Sequence, residues 1–412
     1  MIIAAIALLP FGRSIEIPLG ILALLGIYQS VHGQLDFRAP AINMLLLLYA
    51  AVAIPMLLAL PDAVALKRSM TTTVGTLRYL FAGIALLNLV QHPRAAVIAQ
   101  RLLLGGTIIA TVWAADALLQ AITGTNILGY AVTRGYINGM FGEDDNLKLP
   151  LALVLFYPFA LVWTQQYLRP WQAAVLVLLL LLALLLTGKR VALLAVIVQT
   201  GLLALFYLRA KIWRKRAVAA GLGLALLVFG GAYVSSDWVK ERTDNVAIAL
   251  THPSYDTINT ALSLRLPIWE AALQISRDNW LNGVGPRGFR YVYADYAPKD
   301  DSFAVAMESD PRAADVSHPH QILLELGAET GVIGLAGLFV LYYLLWRAWQ
   351  KAEFAQRRLA LPFVASALGL IFPLNSQGAF YSSWCAQLMW LMLALTIFAL
   401  YARPFAKPGA EP

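Results

Sequence analysis

The chain has 412 residues, of which 60% are hydrophobic and only 13% charged, with a mean hydropathy of +0.68. A soluble domain carries about 25% charged residues, and many windows here reach the roughly 20 apolar residues that cross hydrocarbon. Composition therefore excludes a soluble globular protein and points to an all-α polytopic membrane protein. The net charge of +8 invites a nucleic-acid reading, but excess Lys and Arg in a membrane protein mark cytoplasmic loops, so no nucleic-acid partner is expected. Cys385 is the single cysteine and lies in an apolar run, which leaves no disulfide framework and no Cys metal site.

Apolar spans fall near 2–10, 15–31, 41–60, 74–91, 99–121, 149–167, 171–187, 189–208, 216–234, 320–346, 358–374 and 383–401. That makes about twelve transmembrane helices, the first of them short. The opening MIIAAIALLPFG has no basic region and no small-residue cleavage site, so it does not read as a removed signal peptide. Arg209, Lys211, Arg214, Lys215 and Arg216 crowd one gap, and Arg347, Lys351, Arg357 and Arg358 crowd another. By parity both gaps lie on one side, which reads as cytoplasmic. Arg403 and Lys407 in the tail agree. Lys67 and Arg68 then fall on the outer side, against the rule, and would need a task there. The chain divides into spans one to nine (1–234), an outer loop or cap (235–319), and the last three spans with the tail (320–412). The cap holds twelve acidic against eight basic residues. LPIWEAALQISRDNWL (266–281) within it has apolar residues at helical spacing, so the cap reads as small and helical.

Four stretches carry candidate chemistry, all on the outer side. TRGYINGMFGEDDNLKLP (133–150) offers Arg134, and its run Glu143–Asp145 reads as a solvated acidic loop rather than a cation site. LLLTGKRVALLAV (184–196) joins two spans through a hairpin bearing Lys189 and Arg190. These cations fit snorkelling to headgroups or a clamp on an anion, since the Arg fork matches phosphate oxygens. SLRLPIWEAALQISRDNWLNGVGPRGFRYV (263–292) presents Arg265, Trp269 and a glycine-rich turn beside Arg287 and Arg290. It is no dinucleotide fingerprint, for no βαβ context surrounds it.

The last stretch, SHPHQILLELGAETGVIGL (317–335), opens a span. Pro319 suits a first helical position. At 100° per residue from His320, Leu324, Gly327, Gly331 and Gly334 return to within about 40° of it. The glycines would seat the helix against a neighbour and His320 would point into the bundle mouth. Glu329 falls on the opposite face and Glu325 off the stripe. The sequence contains no HExxH, no Walker loop and no GxSxG.

Taken in order, these stretches resemble the O-antigen ligase/polymerase superfamily. The family's signature of His, amide, Leu, acidic residue, Gly and Gly is matched by His320, Gln321, Leu324, Glu329, Gly331 and Gly334, with Gln321 where Asn is usual. Its Ser-Arg turn is matched by Lys189 and Arg190, and its outer-loop motif by Arg265, Trp269, Gly283 and Gly285. The similarity runs over about 133–335. It implies GT-C-type architecture and a glycosyltransferase in a Gram-negative inner membrane, with its active site on the periplasmic side. The implied donor is glycan on undecaprenyl pyrophosphate and the implied acceptor is lipid A–core. Polymerases and protein O-oligosaccharyltransferases share the superfamily.

Such a donor carries its own energy in the sugar–pyrophosphate bond, so no cofactor is expected and no metal. Arg190 and Arg265, supported by Arg287, Arg290 and Lys189, would neutralise the leaving pyrophosphate. His320 would act as general base, with His318 the alternative. Lys67 and Arg68 would meet phosphates of the acceptor. Membrane lipids are the remaining partner. A lipid-linked glycan transporter would bind the same anion without needing the histidine.

Overall fold

The structure is a computed structural model that describes residues 1–132, 136–142, 148–211, 223, 230, 233–234, 237–299, 301, 303–305, 316–376 and 378–402. The protein is all-α. Among the described residues there is no strand, only an isolated bridge between Thr125 and Ala131.

In chain order the helices are α1 (Ile2–Ala7), α2 (Glu16–Val31), α3 (Pro40–Leu58), α4 (Leu66–Gly75), α5 (Leu77–Leu87), α6 (Ala95–Thr123), α7 (Lys148–Tyr167), α8 (Pro170–Leu186), α9 (Arg190–Arg209), α10 (Asp237–Thr251), α11 (Tyr255–Ala261), α12 (Leu266–Asp278), α13 (Phe289–Tyr296), α14 (Ile322–Lys351), α15 (Phe354–Ile371) and α16 (Ser383–Tyr401). Among the described residues, seven helical segments are long and apolar enough to cross a membrane: α3, α4 joined to α5, α6, α7, α9, α14 and α16. Helices α2 and α8 are apolar but shorter. With six residues, α1 is too short to span, and the ninth apolar stretch, 216–234, lies mainly outside the described residues. The centre is formed by α16 and α7, whose apolar windows are 89% and 83% buried against other helices.

Hydrogen bonds show which helix ends meet. The Asn282 amide donates to the Leu58 carbonyl at the end of α3. An Arg265 N–H reaches Ser376, just past α15, and the Gln321 amide donates to Pro373 O beside it. Arg190, opening α9, reaches Ser263. One end of the bundle thus gathers the C-termini of α3 and α15, the N-termini of α4, α9, α14 and α16, and the 237–321 segment. The opposite end carries Arg209, Arg347, Lys351 and Arg357.

Several expectations are corrected here. His320 is not the first residue of a helical stripe. It has φ +53°, and α14 begins at Ile322 with Gln321 as its N-cap, the Gln321 side chain accepting from Leu324 N–H. Pro319 is therefore outside the helix. Nor is the stripe continuous, because Gly331 has φ +63° and ψ −160°, which splits α14 into two helical segments. The glycines meet different things. A Cβ on Gly327 would touch Ser276 of α12, one on Gly337 would overlap the Ala51 carbonyl of α3, and one on Gly331 would overlap the Leu281 backbone. Helix α4 starts at Leu66, so Lys67 and Arg68 stand in its first turn rather than in a free loop.

The break is stabilised by an exchange of backbone partners. In a continuous helix the N–H groups of Val332 and Ile333 would bond the carbonyls of Ala328 and Glu329. Here Val332 N–H donates to Trp280 O and Ile333 N–H to Leu281 O. The vacated carbonyls accept from Val284 N–H (2.9 Å) and Gly285 N–H (3.0 Å). The segment 280–285 is spliced into the helix, and these four backbone groups are met across the break. Each such bond contributes about 1 kcal/mol net. Gly283, at φ +66°, permits the approach, since a Cβ there would overlap the backbone at Glu329.

Substituting Gly331→Ala should cost about 2 kcal/mol or more, from the disfavoured backbone region plus overlap with Leu281. Thermal unfolding of the purified protein in detergent checks this; an unchanged midpoint would mean that the break tolerates a side chain.

Candidate functional site

The site grows from three backbone turns. Among the described residues, only Lys211, Ser263, Leu264, Arg287 and His320 are non-glycine with positive φ. Such dihedrals cost about 1–3 kcal/mol each and persist where surrounding contacts over-determine them. Four of the five belong to the segments that carry the candidate arginines and histidines.

The first turn holds Ser263 and Leu264 at φ +59° and +61° and delivers Arg265 to the N-cap of α12. A guanidinium N–H of Arg265 donates to Ser376 Oγ at 2.8 Å. Arg190 is the first residue of α9, after Lys189 as N-cap, and donates to Ser263 Oγ at 2.9 Å. The two arginines therefore converge on one turn from different helices. The ammonium of Lys189 lies 5.0 Å from the Tyr136 ring centroid, a cation–π distance.

The second turn is 283–288. Its N–H groups grip the helix carbonyls described above, and Arg287, at φ +64°, donates its own N–H to the Glu329 carboxylate at 2.6 Å. The Arg287 side chain is 7% exposed, and its Nε and Nη1 are buried without a hydrogen-bond partner. Arg290 follows in the first turn of α13. Burial, with the like charges of Arg287 and Arg68 beside it, pushes the Arg290 guanidinium below its usual value. Arg68 is close because α4 docks on this turn: Ser69 Oγ donates to Pro286 O at 3.0 Å and Val64 N–H to Val284 O at 3.1 Å. Lys67 is exposed beside it.

The third segment is 317–321. The Trp269 indole N–H donates to Pro319 O at 3.1 Å, Gln321 ties to Pro373, and Ser317 Oγ bonds His318 Nδ1 at 3.1 Å. The rings of His318 and His320 stand 4.0 Å apart between centroids. His318 is buried, its Nε2 without a hydrogen-bond partner. Burial, then His320 and the charges of Arg287, Arg265 and Arg290, hold it well below the usual histidine value. His318 is thus a neutral imidazole surrounded by cations.

The structure therefore brings Arg265, Arg287, Arg290, His318 and His320 into one electrostatic neighbourhood, with Arg190 one hydrogen bond from the Ser263–Arg265 turn and Arg68 at its edge. Trp269 positions the histidine segment through its N–H. Arg134 and the acidic run Glu143–Asp145 lie outside the described residues. Several cations around buried, unpartnered donors make a site suited to a multiply charged anion. No cluster of His, Cys, Asp or Glu among the described residues is arranged to hold a metal ion.

Sequence reasoning gave no role to Glu325 or to Glu329, the latter entering only as the acidic position of the family signature. Both are buried, at 1% and 0% exposure. Glu325 accepts from Phe380 N–H (2.9 Å) and Tyr381 N–H (3.2 Å). Glu329 accepts from Arg287 N–H and, at 3.4 Å, Phe289 N–H. The helical wheel set both aside as facing away from the stripe. The available signal was two carboxylates one turn apart in an apolar helix, which are costly unless engaged.

A comparison with curated proteins finds no match. Residues 174–339 match the family model described as O-antigen ligase, a stretch that includes Arg190, Arg265, Arg287, Arg290, His318 and His320. Through that segment the chain is similar to the O-antigen ligase/polymerase superfamily.

Proposed function

We propose that the protein is an O-antigen ligase that moves a glycan from undecaprenyl pyrophosphate to lipid A–core at the periplasmic face of a Gram-negative inner membrane. The observation that carries this reading is the gathering of arginines around an imidazole pair at one end of an apolar bundle, within the segment that matches the family. A polyprenyl donor has its tail in the bilayer and its pyrophosphate at the surface, so its reactive bond sits where helix ends meet.

In the reaction the acceptor hydroxyl oxygen bonds the anomeric carbon as the bond from that carbon to the pyrophosphate oxygen breaks. The hydroxyl proton passes to His320, and undecaprenyl pyrophosphate leaves with its electron pair. Direct displacement of this kind inverts the anomeric centre. Arg190 and Arg265 neutralise the developing negative charge, with Lys189, Arg287 and Arg290 in support. Side chains held by Ser263 and Ser376 need little reorganisation as that charge grows. His318, neutral and packed against His320, sets the orientation of its partner ring rather than competing as the base. Lys67 and Arg68, beside Arg290 at the start of α4, meet phosphates of the acceptor lipid.

Purified protein, lipid-linked glycan and lipid A–core, mixed without nucleotide and with chelator, should give a shifted lipopolysaccharide band. Lengthened lipid-linked glycan would instead mean a polymerase, and neither product would favour a transporter. His320→Ala should lower transfer by about 10² to 10⁴ at normal protein levels, and wild-type activity in that variant would remove His320 from the mechanism. Arg190→Lys and Arg265→Lys should each lose at least about tenfold in kcat/KM, because an ammonium cannot reproduce the guanidinium fork; equal activity would argue that only charge is needed. A Lys67→Gln/Arg68→Gln double variant should weaken acceptor binding most at low salt, where exposed charges act furthest. Salt-independent, unchanged acceptor binding would take these two residues out of the site.

A further inference from the structure

Glu329 has no role in the mechanism above, yet it is fully buried and engaged through both its side chain and its main chain. Its carboxylate receives the N–H groups of Arg287 and Phe289, and its backbone carbonyl receives Gly285 N–H. One residue thus holds the 283–289 turn from both its main chain and its side chain. Phe289 is the first residue of α13 and Gly288 its N-cap, and no side chain of α13's own cap satisfies its leading N–H groups. An N-terminus in that state needs acceptors for its free N–H groups, which the Glu329 carboxyl oxygens supply. The turn so held carries Arg287, at a backbone angle that a side-chain-bearing residue seldom adopts, and Arg290 in the first turn of the helix that follows. The Arg287 guanidinium is also within electrostatic reach of Glu325 and Glu329, while its Nε and Nη1 remain unbonded and buried.

We propose that Glu329 is a positioning residue for phosphate binding: its carboxylate, by capping the 287–289 turn, sets the placement of Arg287 and Arg290 toward the donor pyrophosphate. The inference rests on the reading of those arginines as phosphate ligands. Glu329 itself touches no substrate; it is sealed beneath the turn at 0% exposure. Glu325, one turn earlier on α14, performs the matching task for Phe380 and Tyr381, where no candidate arginine is carried. It therefore supplies the internal comparison for a carboxylate whose work is structural.

The test measures transfer kinetics against donor concentration in Glu329→Gln, Glu329→Ala, Arg287→Gln and Arg290→Gln, and in the doubles that join Glu329→Gln to each arginine change. Gln keeps the length and one acceptor oxygen, so Glu329→Gln should keep protein level and melting temperature near wild type. It should raise the donor KM about tenfold with kcat changed far less. Glu329→Ala, with no acceptor, should be worse, and Gln should rescue part of its loss. Residues that act through one another couple in a double-mutant cycle, so in the Arg287→Gln or Arg290→Gln background Glu329→Gln should add under about threefold. Full additivity with both arginines, or a wild-type donor KM in Glu329→Gln, would overturn the proposal. If Glu329→Gln proves too unstable to purify, Glu329→Asp with the same cycle decides it, since a shortened carboxylate that alters donor KM only when the arginines are present supports positioning. Should both arginine variants themselves keep wild-type KM, the phosphate reading falls and this inference with it. Should they raise KM while Glu329→Gln does not, the inference alone falls.

Discussion

The structure depends on one exchange of backbone hydrogen bonds. At Gly331 the helix α14 opens, its two freed N–H groups donate to Trp280 and Leu281, and its two freed carbonyls accept from Val284 and Gly285. A helix interrupted in or near hydrocarbon is tolerated only when protein satisfies the released groups, and the 280–285 segment meets these four. The exchange ties the 280–285 segment, which joins α12 to the arginine-bearing turn, directly to α14. The histidine-bearing turn leads into the same helix.

A second device recurs at the same end of the molecule. Helix α14 uses Glu325 and Glu329, one turn apart, to take backbone N–H groups from two separate loops. Helix α6 uses Asp116 and Gln120 at the same spacing. Asp116 accepts from Ile127 N–H, and Gln120 accepts from Asn138 and Gly139 N–H while donating to Tyr130 and Ala131 carbonyls. In both cases a long helix provides the rigid part and a pair of polar side chains fixes irregular backbone to it. Loops are where binding groups concentrate, and here their freedom is removed by acceptors rooted in the bundle. The cost of burying these polar groups is offset by the hydrogen bonds they receive.

The strained residues of these three turns follow from this arrangement. Ser263, Leu264, Arg287 and His320 adopt positive φ because contacts on both sides hold them: Arg190 on Ser263, Glu329 on Arg287, and Trp269 and Gln321 flanking His320. Such over-determination keeps several cations close together without a bound anion, an arrangement that would otherwise relax by repulsion. Burial first, and then the neighbouring cations, lower His318 and Arg290 below their usual values.

Much of this was legible in the residues alone. An all-α membrane bundle follows from apolar run lengths, because hydrocarbon leaves the backbone few other options. Parity expects Arg190, Arg265 and His320 on one side together, and the hydrogen bonds among their segments bring them to one end of the bundle. Periodicity could not reveal that α14 breaks at Gly331, since the residues on either side remain helical and only a foreign segment makes the break affordable. It equally misassigned Glu325 and Glu329: a helical wheel assumes one partner per face, whereas these two reach loops from sequence positions about 40 and 55 residues away. Local pattern determined which elements exist and what chemistry they carry. Tertiary structure alone decided which turns meet, because the hydrogen bonds that join them link positions far apart in the chain, and no local propensity encodes such a pairing.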